Sequence, residues 1–114
     1  MIVAGFGFRK GASLASFQAA LNMTNGAQAI ATIEEKAIGL TELSHATGLP
    51  VIAVARSALP DQPGSPRVRA LYGTGSVAES AALAAAGAGA ILTQPRTTSP
   101  DGQVVVAIAK GQGT

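Results

Sequence analysis

Positive charge recurs in this 114-residue chain where short apolar runs give out. Arg9 and Lys10 follow Met1-Ile2-Val3-Ala4-Gly5 and a Phe6-Gly7-Phe8 step, and Glu34, Glu35 and Lys36 follow residues 27–33. Arg56 and Ser57 come after residues 51–55, and Gln94 and Arg96 after residues 90–93. Guanidinium and ammonium groups give charge-assisted hydrogen bonds to carboxylates and phosphates. Two glycine-rich segments, Gly5-Phe6-Gly7-Phe8-Arg9-Lys10-Gly11 and Gly73-Thr74-Gly75-Ser76, precede predicted helices. A helix start offers unpaired N–H groups to an anion. The candidate ligand-binding residues are therefore Gly7, Arg9, Lys10, Gly11, Lys36, Arg56, Gly73, Thr74, Gly75, Ser76 and Arg96. The plainer reading is a solvated edge that carries charge outward while glycine only turns the chain.

Other chemistries fit less well. Lys10 stands where a dinucleotide-binding fingerprint needs its third glycine, and no G-x-x-x-x-G-K-[ST] P-loop exists. His45, the only histidine, falls near the C-terminal end of a predicted helix, where imidazole more often meets solvent or the helix dipole than a substrate. Adjacent Glu34 and Glu35 would point to opposite faces of a strand end, the wrong geometry for a shared carboxylate pair. Ser76 and Glu79 have capping-box spacing, with a hydroxyl at the N-cap and a carboxylate three residues on. No catalytic residue stands out, and no metal or cofactor is implied.

Composition narrows the partners. With 24 alanines and 14 glycines making up a third of the chain, helices can lie close against a sheet. Aromatics are 4% with no tryptophan, so base stacking is poorly provided for and a nucleic-acid partner is not expected. Eight Lys and Arg residues, giving +2 overall without a basic run, suit a small anionic ligand. A mean hydropathy of +0.34 is incompatible with a disordered polar chain. No apolar run reaches the ~18 residues that would span a bilayer, and no basic leader precedes the first apolar run, so no membrane partner is expected. The absence of cysteine fits a reducing, cytoplasmic setting.

These groups need elements to carry them. The pattern predicts a buried strand over 1–5, a loop over 5–11, and a helix opened by Ser13 with Leu14, Phe17 and Leu21 on one face. A strand over 27–33 and a helix over 38–47 follow, the helix ended by Gly48 and Pro50. Residues 51–55 are apolar on both faces, as in an interior parallel strand. Residues 56–67, with three prolines, read as a loop, and 68–72 as a short extended piece. An alanine-rich helix opens at the Ser76 cap and ends before Gly87, and strands over 90–93 and 103–109 form a hairpin around Ser99-Pro100-Asp101-Gly102. Residues 111–114 should fray. The expected fold is α/β: a single three-layer αβα domain over 1–114, with a mostly parallel, mixed sheet of about five strands and a C-terminal antiparallel hairpin.

Three segments carry a family resemblance: Gly5-Phe6-Gly7-Phe8-Arg9-Lys10-Gly11-Ala12-Ser13, Ala31-Thr32-Ile33-Glu34-Glu35-Lys36 and Gly73-Thr74-Gly75-Ser76-Val77-Ala78-Glu79-Ser80-Ala81-Ala82-Leu83. They resemble, in order, the G-x-G-x-R-x-G-x-x, T-[IL]-x-x-K-x-x-E/I-x-G-[IL] and G-[TV]-G-S-V-[AC]-E-A-A-A-L segments of the cobalamin-biosynthesis CobE proteins and the CbiG C-terminal domain. The third is the most specific, and the resemblance covers essentially the whole chain. It implies an α/β domain acting in construction of the corrin ring of vitamin B12. Because the chain is similar only to the last domain of CbiG, the resemblance points to the stand-alone CobE form of the aerobic pathway. It implies an accessory or carrier that binds a precorrin or hydrogenobyrinic-acid-type intermediate, with other pathway enzymes such as precorrin methyltransferases as partners. The alternative it implies is a hydrolase opening the lactone of a (cobalt-)precorrin-5A-type intermediate with release of acetaldehyde. Corrin precursors carry acetate and propionate carboxylates, which would match a rim of Arg9, Lys10, Lys36, Arg56 and Arg96.

Overall fold

Along β1 (Ile2–Phe8) successive side chains leave opposite faces of the strand, and the two faces are built differently. On one, Ala4 and Phe6 join Ile30, Val104, Val106 and Ile108 under Phe17, Leu40 and Leu43, in a core of large side chains. Helices α1 (Leu14–Asn22) and α2 (Thr41–Thr47) cover that side. On the other, Val3 meets Ala29, Ala31, Val54 and Ala81, the last from helix α4 (Val77–Ala86). The computed structural model describes residues 1–72 and 74–111, and it places helices on both faces of one five-stranded sheet. The expected three-layer α/β arrangement is therefore present. The strand order is β3 (Val51–Val54), β2 (Ala29–Ile33), β1, β5 (Val104–Lys110), β4 (Ile91–Thr98). β1, β2 and β3 pair in parallel, while β5 runs antiparallel to both β1 and β4 and closes the C-terminal hairpin.

Alanine and glycine concentrate on the α4 side. A Cβ on Gly5 would stand 2.6 Å from the Ala82 nitrogen and would strike the Ala78 carbonyl oxygen. Helix and strand backbones thus touch with no side chain between them. Ala78, Ala81 and Ala82 of the helix and Ala29, Ala31, Ala107 and Ala109 of the sheet are all buried there. Local signals fix the helix ends: Ser13 Oγ accepts from the Ser16 N–H at 3.2 Å, and Gly48 ends α2 in the left-handed region at φ 76°.

Several expectations are corrected by pairing across the sheet. β1 continues to Phe8, because β5 pairs with it from Ile2 to Phe8, so the loop begins at Arg9. Glu34 and Glu35 open a 3-10 turn, Glu34–Leu40, instead of ending a strand. β3 is an edge strand, not an interior one: among the described residues β2 is its only strand partner, and its apolar residues meet α4 and the 3-10 turn. Residues 68–72 are not extended. They belong to α3 (Pro66–Tyr72), where Pro66 is preset for a first helical position and Ser65 accepts from the Val68 N–H through Oγ at 3.4 Å. β4 extends through Pro95, which an edge strand tolerates. Gly111 is not frayed, since its N–H donates to the Met1 carbonyl at 2.9 Å; residues 112–114 lie outside the described residues. Among the described residues no helix is long and apolar enough to cross a membrane.

The contact at Gly5 predicts an asymmetry between neighbouring glycines. Gly5→Ala should cost about 2–3 kcal/mol or more, because two backbones must separate. Gly7→Ala, with its Cβ 3.7 Å from the Ala78 nitrogen, should change stability by under about 1 kcal/mol. Urea denaturation of the two variants measures the difference.

Candidate functional site

The carboxyl end of β1, the start of α4 and the β4–β5 hairpin enclose a cleft of about 560 Å³. Gly7, Phe8 and Arg9 line it from β1, and Gly75, Ser76, Val77 and Ala78 from the start of α4. Arg96, Thr98, Gly102, Gln103 and Val105 come from the hairpin, Val68 and Tyr72 from α3, and Lys36 and Ser65 complete it. The lining holds three cations and no carboxylate. Open α/β sheets collect ligands at this end of their parallel strands.

Each cation is held differently. Lys36 Nζ donates to the Phe8 carbonyl at 2.6 Å and lies 5.0 Å from the centroid of the Phe8 ring and 5.8 Å from that of Tyr72. Arg96 sits in an irregular stretch of β4, where the register with β5 shifts between Gln94 and Thr97. Its N–H donates to Glu79 Oε2 at 3.0 Å instead of to β5, and Nη1 reaches Glu79 Oε1 at 3.2 Å and the Pro63 carbonyl at 2.8 Å. Glu79 is only 6% exposed at its side chain, against 45% for Arg96, so the carboxylate is the buried anchor and the guanidinium the exposed end. The Arg9 N–H donates to the Gln103 carbonyl at 3.1 Å, which leaves its side chain exposed at the rim.

Of the residues singled out in the sequence, Gly7, Arg9, Lys36, Gly75, Ser76 and Arg96 meet at the cleft. Lys10 and Gly11 lie in the turn beyond β1, exposed and outside the lining. Arg56 pairs with Glu35 at 2.6 Å and stacks 5.3 Å from the Tyr72 ring centroid, so it braces a wall residue without lining the cleft. The Glu35 backbone N–H foremost, and the pairing with Arg56 after it, hold the Glu35 carboxyl below its usual range. Thr74 is fully buried, and its Oγ1 bonds Ser80 Oγ at 2.7 Å and accepts from the Gln62 N–H at 3.0 Å. Gly73 lies outside the described residues. The Gly75 N–H donates to the Gln62 carbonyl at 2.8 Å, and a Cβ on Gly75 would come within 2.5 Å of that oxygen. Its glycine therefore serves the fold of residues 62–65, and Gly75→Val should fail in folding before it fails in binding. Only the second of the two glycine-rich helix starts borders the cleft; the first is closed by the Ser13 cap, and α1 contributes nothing to the lining. His45 is exposed on α2.

The capping box is half formed. Ser76 Oγ accepts from the Glu79 N–H at 3.2 Å, but the Glu79 carboxylate bonds Arg96 instead of reaching back to Ser76. The physical reason is demand: the irregularity leaves the Arg96 N–H without a strand partner, and a buried carboxylate is most stable against a cation. Val77 and Ala78, whose first-turn amides the helix itself cannot pair, line the cleft. Sequence reasoning missed Phe8, Tyr72 and Gln103 as lining residues. It also missed Asp101, which accepts from Ser16 Oγ, from Ser99 Oγ at 2.7 Å and from the Gln103 N–H at 3.1 Å. Those donors, Ser16 foremost, hold the Asp101 carboxyl below its ordinary value of 3.8 and tie the hairpin turn to α1.

Two predictions follow from these anchors. Glu79→Ala should cost roughly 1–3 kcal/mol, because it leaves the Arg96 N–H without its acceptor, and Glu79→Gln should cost less than half of that. Chemical denaturation reads both. Asp101 is depressed in the folded state, so its contribution is complete above pH 3.8 and is lost as pH falls below that toward its folded value. Asp101→Asn should therefore lower Tm at neutral pH and leave a smaller drop in Tm on acidification through that window.

The geometry has relatives. Residues 2–109 match the family described as cobalamin synthesis G C-terminus. The crystal structure of CobE, a protein from the cobalamin (vitamin B12) biosynthetic pathway, is similar at TM-score 0.77 and 28% identity, over 96% of this chain and 89% of that one. The crystal structure of cobalamin biosynthesis protein chiG from Agrobacterium tumefaciens str. C58 is similar at TM-score 0.75 and 36% identity, over 99% of this chain and 100% of that one. No curated protein matches the sequence significantly. With the match running from the first strand to the last and the same fold in both solved structures, the chain belongs to the cobalamin synthesis G C-terminal family and is a cobalamin biosynthesis protein.

Proposed function

We propose that this protein holds a corrin-ring intermediate, of the precorrin or hydrogenobyrinic-acid type, in the cleft between β1, α4 and the hairpin. The observation that carries the reading is a lining with three cations, no carboxylate and an apolar remainder that includes Phe8, Val68, Tyr72, Val77 and Val105. A corrin precursor presents acetate and propionate carboxylates around a broad, partly apolar ring. Arg9, Lys36, Arg96 and the Val77 and Ala78 amides would receive the carboxylates, while the apolar side chains meet the ring. Charge-assisted hydrogen bonds are worth roughly 1.5–3 kcal/mol each. Three of them, less the cost of association, support affinity in the micromolar range. A cleft of about 560 Å³ fits within the range of small-molecule sites, and its open side lets the edge of a large ring protrude.

Handling is favoured over hydrolysis by how the reactive groups are engaged. The Ser76 hydroxyl caps α4, both Glu79 oxygens are on Arg96, and His45 is exposed on α2. A carrier of this kind would receive its ligand from one enzyme of the pathway and deliver it to another.

Titration with a hydrogenobyrinic-acid-type corrinoid, followed by absorbance, tests the reading. Micromolar binding that weakens about tenfold when salt rises from about 50 mM to about 500 mM is expected. Arg9→Ala should weaken binding with under about 1 kcal/mol change in stability, because its side chain is exposed. An absence of both spectral change and co-elution would show that the cleft does not take corrinoids. Release of acetaldehyde from a lactone-bearing precorrin would show instead that the protein is a hydrolase.

A further inference from the structure

Resting on the corrinoid reading above, we infer that the Glu35–Arg56 ion pair, which stands outside the cleft, positions Tyr72 and so sets how firmly the α3 wall holds the ligand. The walls of the cleft are anchored unequally. β1 is paired along its length with β5, and the start of α4 follows from the backbone contact at Gly5. The Phe8 ring lies 4.9 Å from that of Phe17, and a Cβ on Gly39 would stand 2.7 Å from it, so it is packed on two sides. α3 has no buried residue. Ser65, Val68 and Tyr72, at i, i+3 and i+7, share the face that lines the cleft, while Arg67, Ala70 and Leu71 are exposed. Among the described residues no hydrogen bond joins α3 to a strand. Arg69 bonds Asp61 and the Gln62 carbonyl, just ahead of the helix, and the Ser65 N–H donates to the Gly75 carbonyl at 3.0 Å. The far end of α3 is held by the Tyr72 ring, whose centroid is 5.8 Å from Lys36 Nζ and 5.3 Å from the Arg56 guanidinium.

The two cations are not equivalent. Lys36 lines the cleft, so a ligand carboxylate draws on the same ammonium that steadies Tyr72. Arg56 lies outside the lining, and its Nε and Nη2 both donate to Glu35 Oε2, at 3.1 and 2.6 Å. It therefore keeps its place against the ring whether or not the cleft is filled. Glu35 makes that possible, since it fixes one rotamer of a long side chain and offsets the repulsion between two cations beside one ring. Glu35 and Lys36 are adjacent on the 3-10 turn after β2, and Arg56 opens the turn after β3. The grip on Tyr72 is thus built from two neighbouring strand ends. Arg56 and Glu35 are positioning residues: neither lines the cleft, and both act through Tyr72.

Tyr72 is the only tyrosine and the chain has no tryptophan, so tyrosine fluorescence reports on this one ring. Arg56 and Glu35 are 52% and 48% exposed, so Arg56→Gln and Glu35→Gln should both fold. In the ligand-free protein, quenching by neutral acrylamide should become more efficient by about half or more in each variant, as the ring loosens. Absorbance titration with dicyanocobyrinic acid, a corrin ring with free carboxylates, then gives affinity at about 150 mM salt, where the Debye length is about 8 Å. Both variants should bind about two- to fivefold more weakly, the worth of one exposed cation–π contact. In a Tyr72→Leu background, Arg56→Gln should change affinity by less than about 1.5-fold. If Arg56 acted on the ligand through its charge, the two variants would move in opposite directions, Arg56→Gln weaker and Glu35→Gln tighter. Opposite directions, unchanged quenching in either variant, or a full Arg56→Gln effect without Tyr72 overturn the inference and leave the corrinoid reading standing. No binding by the unaltered protein overturns both.

Discussion

Everything in this structure is arranged around the contact of α4 with β1, where the Gly5 backbone meets the backbone of Ala78 and Ala82 directly. A helix that close cannot slide or rotate without collision, so the direction of α4 is fixed to that of the strand beneath it. Its first turn is thereby held beside Gly7 and Arg9, at the carboxyl end of the parallel strands. The cost of so close an approach is that the interface contains little apolar mass, since its residues are alanine and glycine. The opposite face compensates with Phe6, Phe17, Ile30, Leu40 and Leu43, whose burial supplies most of the hydrophobic stabilisation. One face of the sheet serves stability, and the other serves position.

An alanine-rich helix has few side chains with which to organise its surroundings, and α4 uses those it has. Glu79 joins it to β4 through Arg96, and Ser80 donates to the Pro60 carbonyl at 2.5 Å while bonding Thr74. These buried polar groups hold residues 60–65 and the irregular part of β4 against the start of the helix. The same bonds decide which charges face the cleft. Glu79 draws the Arg96 backbone inward and leaves much of the guanidinium exposed, so the negative partner is hidden and the positive one is presented. Lys36 is oriented by a carbonyl and two aromatic faces, none of which neutralises it. The cleft is lined by the positive ends of Lys36 and of Arg96, the second partly balanced by the buried Glu79 behind it.

Features set by near neighbours were legible in the sequence. The caps at Ser13 and Ser76, the stop at Gly48 and the turn at Ser99–Gly102 depend on groups a few residues apart, and all are present. The use of alanine and glycine for close packing also followed from composition. Features set by distant partners were not legible. Nothing local to residues 51–55 says that β5 occupies the other side of β1 and leaves β3 at an edge. The partner of Glu79 lies 17 residues away on another element, so its capping-box spacing pointed to the wrong bond. Arg56 and Lys36 both follow strands, yet Glu35 stands beside Arg56 and removes it from the set of open cations. Gly75 looked like a bare amide for a ligand, but its amide and its lack of a side chain are both used by residues 62–65.

The central claim is that the positive cleft at the start of α4 is where the ligand sits, and amide chemical-shift mapping tests it most directly. On addition of dicyanocobyrinic acid, the shifts should concentrate at Gly7, Arg9, Val77, Ala78, Gly102 and Gln103, which reach the cleft from three separate parts of the chain. Shifts confined instead to the shallow apolar groove of Pro60, Leu83, Gly87 and Ala90, or no shifts at all, would contradict the account.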